Sequence, residues 1–149
     1  MGVGPLQQVA ALPYRTFPDG SSSAPFVQLI TTRQTGRWVV HKVNLMVGKA
    51  AHEAAAIEAE EEAGVVGIIS PLSIGRFRYT KLLSGGGSVI AEVELFPLAV
   101  SKAHKKWIEM NQRKRRWFAV GEAASVVDEV ELGELIHQFG EGRGPRPTI

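Results

Sequence analysis

Glu58-Ala59-Glu60-Glu61-Glu62-Ala63-Gly64-Val65 is the densest run of chemically competent side chains in the chain. A helix advances about 100° per residue, so with Glu58 as origin Glu61 falls near 300° and Glu62 near 40°. Three carboxylates then share an arc of about 100°. Ala56, Ala59 and Ala63 fall between about 100° and 160°, a stripe of small side chains suited to close packing on a sheet, and Glu60 points away. Like charges at these spacings cost roughly 0.2–0.5 kcal/mol per pair, and no Lys or Arg follows in the helix to relieve them. A hard divalent cation relieves them well: magnesium takes oxygen ligands from carboxylates, waters and substrate phosphates. A plain solvated surface helix carries the same pattern, so the run alone leaves both readings open.

Several basic residues are placed to meet phosphate. Arg33, Arg37 and Lys42 flank one expected strand, and Arg76, Arg78 and Lys81 lie on another, where alternation puts Arg76 and Arg78 on one face. Gln112-Arg113-Lys114-Arg115-Arg116-Trp117 is a basic run beside an aromatic, which suits either an exposed loop or single-stranded RNA. Glu92 and Glu94 share a strand face, most simply a solvent-facing one. Gly48-Lys49 is no phosphate loop, because Val43 and Ala50 stand where a glycine and a hydroxyl are required. The histidines (His41, His52, His104 and His137) lack the H-x-x-x-H spacing of a zinc hydrolase, and no G-x-S-x-G occurs.

The elements that must position these groups alternate between strand and helix signals. Strands are expected over residues 9–15, 26–32, 37–42 (partner of the preceding strand in a hairpin), 65–69, 73–83 and 88–100. Pro97 marks an edge or a bulge in the last of these. The best helix spans 52–63, dense in Ala and Glu and stopped by Gly64. Residues 103–113 read as a loop or amphipathic segment, and 122–127 and 130–139 as helices. Asp19-Gly20-Ser21-Ser22-Ser23 is a loop, and residues 1–8 and 140–149 are expected to be loose tails. The combination predicts a mixed α/β sandwich.

With 149 residues the chain fits one domain and shows no internal repeat. The absence of cysteine excludes disulfides, Cys-ligated zinc and a thiol nucleophile. No stretch is apolar enough for a membrane span, and residues 1–11 make a poor signal peptide, so a cytoplasmic protein is expected. The net charge of +2 fits an anionic small molecule without demanding nucleic acid.

The stretch from Trp38 to Gly67 resembles the Nudix hydrolases. Their box, G-x5-E-x7-R-E-U-x-E-E-x-G-U with U apolar, falls on residues 43–65, with Glu58, Ala59, Glu61, Glu62, Gly64 and Val65 matching. The first half departs from it: Val43 stands for the first Gly, Lys49 for the earlier Glu and Ile57 for the Arg, and His41-Lys42-Val43 precedes the box where the family often reads Pro-Lys-Gly or Pro-Gly-Gly. The Ala-Gly-Val-Val-Gly ending and Lys114-Arg115-Arg116-Trp117-Phe118 look most like the diphosphoinositol and dinucleoside polyphosphate hydrolases. The resemblance implies an α/β/α sandwich with a mixed sheet and hydrolysis of a pyrophosphate linkage with Mg2+ or Mn2+. The substrate would be a small phosphorylated molecule: a nucleoside diphosphate derivative, a dinucleoside polyphosphate or a diphosphoinositol-like compound. Glu58 and Glu62 would be the main metal ligands and Glu61 a third ligand or the base acting on water. Lys42 would lend a backbone carbonyl, and Arg33 and Arg115 would contact polyphosphate. Losing the box Arg removes a contact to the Glu cluster, a class of loss that costs about 10–100-fold. The alternative is therefore a catalytically weak nucleotide or polyphosphate sensor. A homodimer is left open; a membrane or nucleic-acid partner is not expected.

Overall fold

The computed structural model describes residues 4–16 and 25–145. The strands are β1 (Leu6–Arg15), β2 (Phe26–Thr31), β3 (Trp38–Val39), β4 (Lys42–Asn44), β5 (Val65–Ile69), β6 (Gly75–Leu82), β7 (Ser88–Ala103) and β8 (Arg115–Ala119). The helices are α1 (Ala51–Ala63) between β4 and β5, then α2 (Val120–Val126) and α3 (Val130–Gly140). The expected loop at 19–23 lies outside the described residues.

All the described strands belong to one mixed sheet with the path β3-β2-β1-β7-β5; β8 pairs β2, β4 pairs β1 and β6 pairs β7. Only β1 and β7 run parallel, from Leu6 opposite Ala91 to Tyr14 opposite Ala99. β1 is buried along most of its length and β7 through its middle, as expected of strands covered on both faces. One face packs Val9, Ala11, Ile30, Phe96 and Leu98 against Ala54, Ala55, Ala59 and Ala63 of α1. The opposite face packs Leu12, Leu29, Phe77, Leu95 and Phe118 against Leu132, Ile136 and Phe139 of α3, with α2 alongside. Helices on two faces of a mixed sheet make the expected α/β/α sandwich.

The differences from expectation have local causes. Residues 6–8 are strand, not tail, because β1 pairs with β4 and β7 there and Gln8 is buried. The single strand expected over 37–42 breaks at Val40-His41: β3 pairs with β2, whereas β4 crosses to pair with β1. Pro97 lies in a central strand, opposite Leu12 of β1. It is tolerated at the point where β7 exchanges partners, β6 reaching Leu95 and β5 beginning at Leu98. The bulge falls instead between Val66 and Gly67 of β5. Glycine is required there, since a Cβ on Gly67 would lie 1.9 Å from the carbonyl oxygen of Ala99.

Candidate active site

Helix α1 carries the carboxylates, and both of its ends are tied down. At its start the Ala50 N–H donates to Glu53 Oε1 at 2.9 Å. At its end Gly64 adopts φ 69°, the left-handed conformation that stops a helix. The last carbonyls, which no helix can satisfy internally, meet side chains from beyond β7. Arg115 Nη1 donates to Ala63 O at 2.8 Å and the Trp107 indole to Glu62 O at 3.2 Å. A Cβ on Gly64 would lie 2.9 Å from Trp107 Cβ, so this packing also disfavours any larger residue. The buried stripe is Ala55, Ala59 and Ala63, one residue off the expected Ala56, and Ala54 is buried too. Glu58 and Glu62 ride along its edge with side chains only 13% and 12% exposed.

His41, at the break between β3 and β4, reaches these two carboxylates. Its Nε2 lies 3.1 Å from Glu58 Oε2 and 3.7 Å from Glu62 Oε1. The other oxygen of Glu62, Oε2, accepts from Arg113 Nε at 2.7 Å, and Arg113 Nη1 donates to Thr31 O at 3.0 Å. Behind Arg113 stands buried Glu109, paired also with Arg33. Burial raises the Glu62 pKa against the pull of His41 and Arg113, and a hydrogen bond with Glu109 adds to the rise. Burial pushes Glu109 the same way, but the hydrogen bond from Glu62 and the guanidinium groups of Arg33 and Arg113 outweigh it and hold the carboxyl below its usual range.

The donor set fits a divalent cation. Among the described residues, one ligand atom each from His41, Glu58 and Glu62 come within 4.8 Å of one another. Beneath them is a cavity of about 20 Å³ lined by His41, Glu62, Ala59, Ala63 and Gln28, among others. Gln28 is 2% exposed, and neither end of its amide has a hydrogen-bond partner among the described residues. An amide left unpaired at this depth costs about 1–3 kcal/mol, and the cavity has room for about one water.

His41 also borders a larger cleft of about 840 Å³, lined by Arg33, Arg37, Lys42, Arg78, Lys81 and Arg113, with Asp128 and Glu129 as its acids. Its volume is that of a small-molecule site. Lys42 is held within it by Glu129 at 3.3 Å and over the Tyr79 ring at 4.4 Å. Burial lowers its ammonium pKa, which Glu129 opposes. Tyr79 OH in turn donates to Gln8 Oε1 at 2.6 Å.

The expected site residues thus separate. Glu58 and Glu62 come together, but Glu61 stands outside their group: it is exposed and lines a neighbouring groove with Ile57, Glu60, His104 and Trp107. Arg33, Arg37 and Arg78 line the cleft, Arg37 pairing with Asp128 at 2.8 Å. Arg76 does not; it pairs with Glu92 and Glu94 across the β6–β7 ladder, where Arg78 also binds Glu92. Arg115 is not in the cleft either, because its guanidinium caps α1 and stacks on Trp107 at 3.8 Å. With Arg113 turned inward as well and Arg116 paired to Glu122 at 3.5 Å, the 112–117 run presents no continuous basic face.

The departures in the first half of the box have structural answers. Val43 lies in β4, opposite Val9, in an extended conformation that needs no glycine. Ile57 lines the groove beside Trp107, and the guanidinium absent from position 57 reaches the Glu cluster from Arg113 instead. Sequence reasoning missed His41, Glu109 and Arg113. The one available signal was His41 standing where the resembled family often has Pro; Glu109 and Arg113 lie in a loop whose path no periodicity reveals.

No protein-family model matches the chain. Nudix hydrolase 21, chloroplastic, of Arabidopsis thaliana is 30% identical over 137 residues, covering 91% of this chain and 67% of that protein. Among solved structures, a C. elegans Ap4A hydrolase binary complex aligns with TM-score 0.65 and 16% identity over 92% of this chain and 96% of its own. The E. coli dihydroneopterin triphosphate pyrophosphohydrolase aligns with TM-score 0.63 and 16% identity, with the same coverage. At that identity the two structures speak for the fold.

Proposed function

Because the chain belongs to the Nudix hydrolase family, we propose that it hydrolyses a pyrophosphate linkage in a small phosphorylated molecule with the help of a divalent cation. The class is a nucleoside diphosphate derivative, a dinucleoside polyphosphate or a diphosphoinositol-like compound. The observation that carries this reading is one of adjacency: His41 belongs both to the group it forms with Glu58 and Glu62 and to the large cation-lined cleft. A site that must hold a polyanion against a metal needs both halves in contact.

Arg33, Arg37, Arg78 and Lys81 would hold the phosphates by charge-assisted hydrogen bonds. Glu58 and Glu62 would hold the cation, magnesium or manganese. When bound, that cation offsets charge on the bridging and leaving oxygens and lowers the pKa of water. Arg113 keeps one oxygen of Glu62 fixed, so the other faces His41. Glu61, one turn from Glu58 but lining the neighbouring groove, would take a proton from the attacking water only from outside the group of His41, Glu58 and Glu62. Lys42 would lend its backbone carbonyl to the cation while its ammonium is held by Glu129.

A panel of nucleotide sugars, dinucleoside polyphosphates and diphosphoinositol compounds, each with and without magnesium or manganese, tests the proposal. Metal-dependent release of phosphate-terminated products is expected. Glu62→Gln should cut kcat by about 100-fold or more, as loss of one electrostatic partner of a transition state does. A wild-type protein inert on the whole panel, whose melting temperature nevertheless rises with nucleotide, would instead identify a sensor.

A further inference from the structure

We infer that His41 is a metal ligand, and that its imidazole makes this site select a borderline transition-metal ion (cobalt, nickel or zinc) over magnesium. The inference rests on the proposed cation site and goes beyond it in naming a nitrogen donor and the metal class that follows.

The two imidazole–carboxylate spacings are those of donors on one ion. Two ligands bound at about 2.1 Å can be no more than about 4.2 Å apart, and His41 Nε2 lies 3.1 Å from Glu58 Oε2 and 3.7 Å from Glu62 Oε1. Arg113 occupies Glu62 Oε2, so Oε1 is the oxygen that remains for an ion. A neutral imidazole with two carboxylates balances a divalent charge, which a half-buried position demands. An independent observation points the same way. The Gln28 amide, 2% exposed and unpartnered at both ends among the described residues, lines a cavity of about 20 Å³ together with His41 and Glu62. That cavity takes about one water, and a buried amide with nothing to bond is what a ligand water would satisfy.

The selectivity follows from the donor chemistry. Magnesium prefers all-oxygen octahedra and gains little from nitrogen. Imidazole suits zinc, copper, iron and nickel, carboxylate suits magnesium and manganese, and affinity for a mixed site rises across the first row. His41 is brought to the carboxylates because the chain breaks between β3 and β4. His41, the residue just before β4, thereby reaches Glu58 and Glu62 of α1.

The test uses the whole chain loaded with Mn2+ alone, without substrate. Pulsed EPR of the bound manganese should show 14N coupling, and His41→Gln should abolish it. In competition titrations His41→Gln should shrink the cobalt-over-magnesium preference by at least the tenfold that loss of even an outer partner costs. Bound manganese with no 14N coupling in the wild type, or coupling that persists in His41→Gln, overturns the assignment of His41 and leaves the carboxylate site standing. Failure of manganese to bind at all overturns the cation site with it. The wild-type spectrum decides even if the variant fails to fold.

Discussion

Arg113 shows how one side chain can stand in for another that the sequence lacks. Its guanidinium bridges Glu62, Glu109 and the Thr31 carbonyl, and its side chain is only 9% exposed. Removing one partner of a buried ionic group costs more than the pair contributes, because the other charges stay buried. Arg113→Met should therefore destabilise the fold by about 3 kcal/mol in urea unfolding. An equally truncating change at Arg116, which pairs at the surface with Glu122, should cost under about 1 kcal/mol. Equal effects would mean that Arg113 is solvated in solution.

The sheet seams set the next scale. Because the carbonyl of Ala99 closes over Gly67, Gly67→Ala must part β5 from β7, and overpacking of this kind costs about 1–3 kcal/mol. A fall of several degrees in melting temperature is expected, with larger changes where α1 docks on β5. The β6–β7 seam carries a different signature. The hydrogen bond from Arg78, with those from Gln7 and Arg76, holds the Glu92 carboxyl below its usual range against the opposing effect of burial. A carboxyl lowered in the folded state stabilises above its unfolded pKa, about 4.3, and that contribution is lost as pH falls through the folded value. Unfolding midpoints measured from pH 7 to pH 3 should show wild type above Glu92→Gln at neutrality and the gap closing in acid. A gap independent of pH would assign the difference to packing.

At the scale of the molecule, two arginines from one list of candidates have opposite fates. Arg78 borders the cleft, whereas Arg115 caps α1 from behind. A hydrogen bond to a charged group contributes about 1.5–3 kcal/mol, so Arg78→Ala should raise KM about 10-fold or more, with a small loss of stability from its exposed pair with Glu92. Arg115→Ala should lower the melting temperature, with KM the smaller change. Steady-state kinetics and thermal unfolding on the two variants separate binding from scaffolding, and interchanged results would contradict the placement.

What the sequence by itself determined was local. The Ala and Glu spacing with Gly64 at its end specified α1 to within a residue, because helix propensity, face and stop are properties of neighbours along the chain. Val65–Ile69 was legible as a strand for the same reason. The pairing of Glu58 with Glu62 followed from one turn of helix. What only the tertiary structure decided were the contacts between segments far apart in the chain. The break at Val40-His41 arises because β4 crosses to β1, and it carries His41 to the carboxylates. The loop after β7 brings Arg113, Glu109 and Arg115 to the end of α1. Glu61, grouped with its neighbours by spacing, parts from them because only Glu58 and Glu62 border the buried alanine stripe. A helical angle places a side chain on a cylinder, but only the surface packed against that cylinder decides which part of it becomes a site.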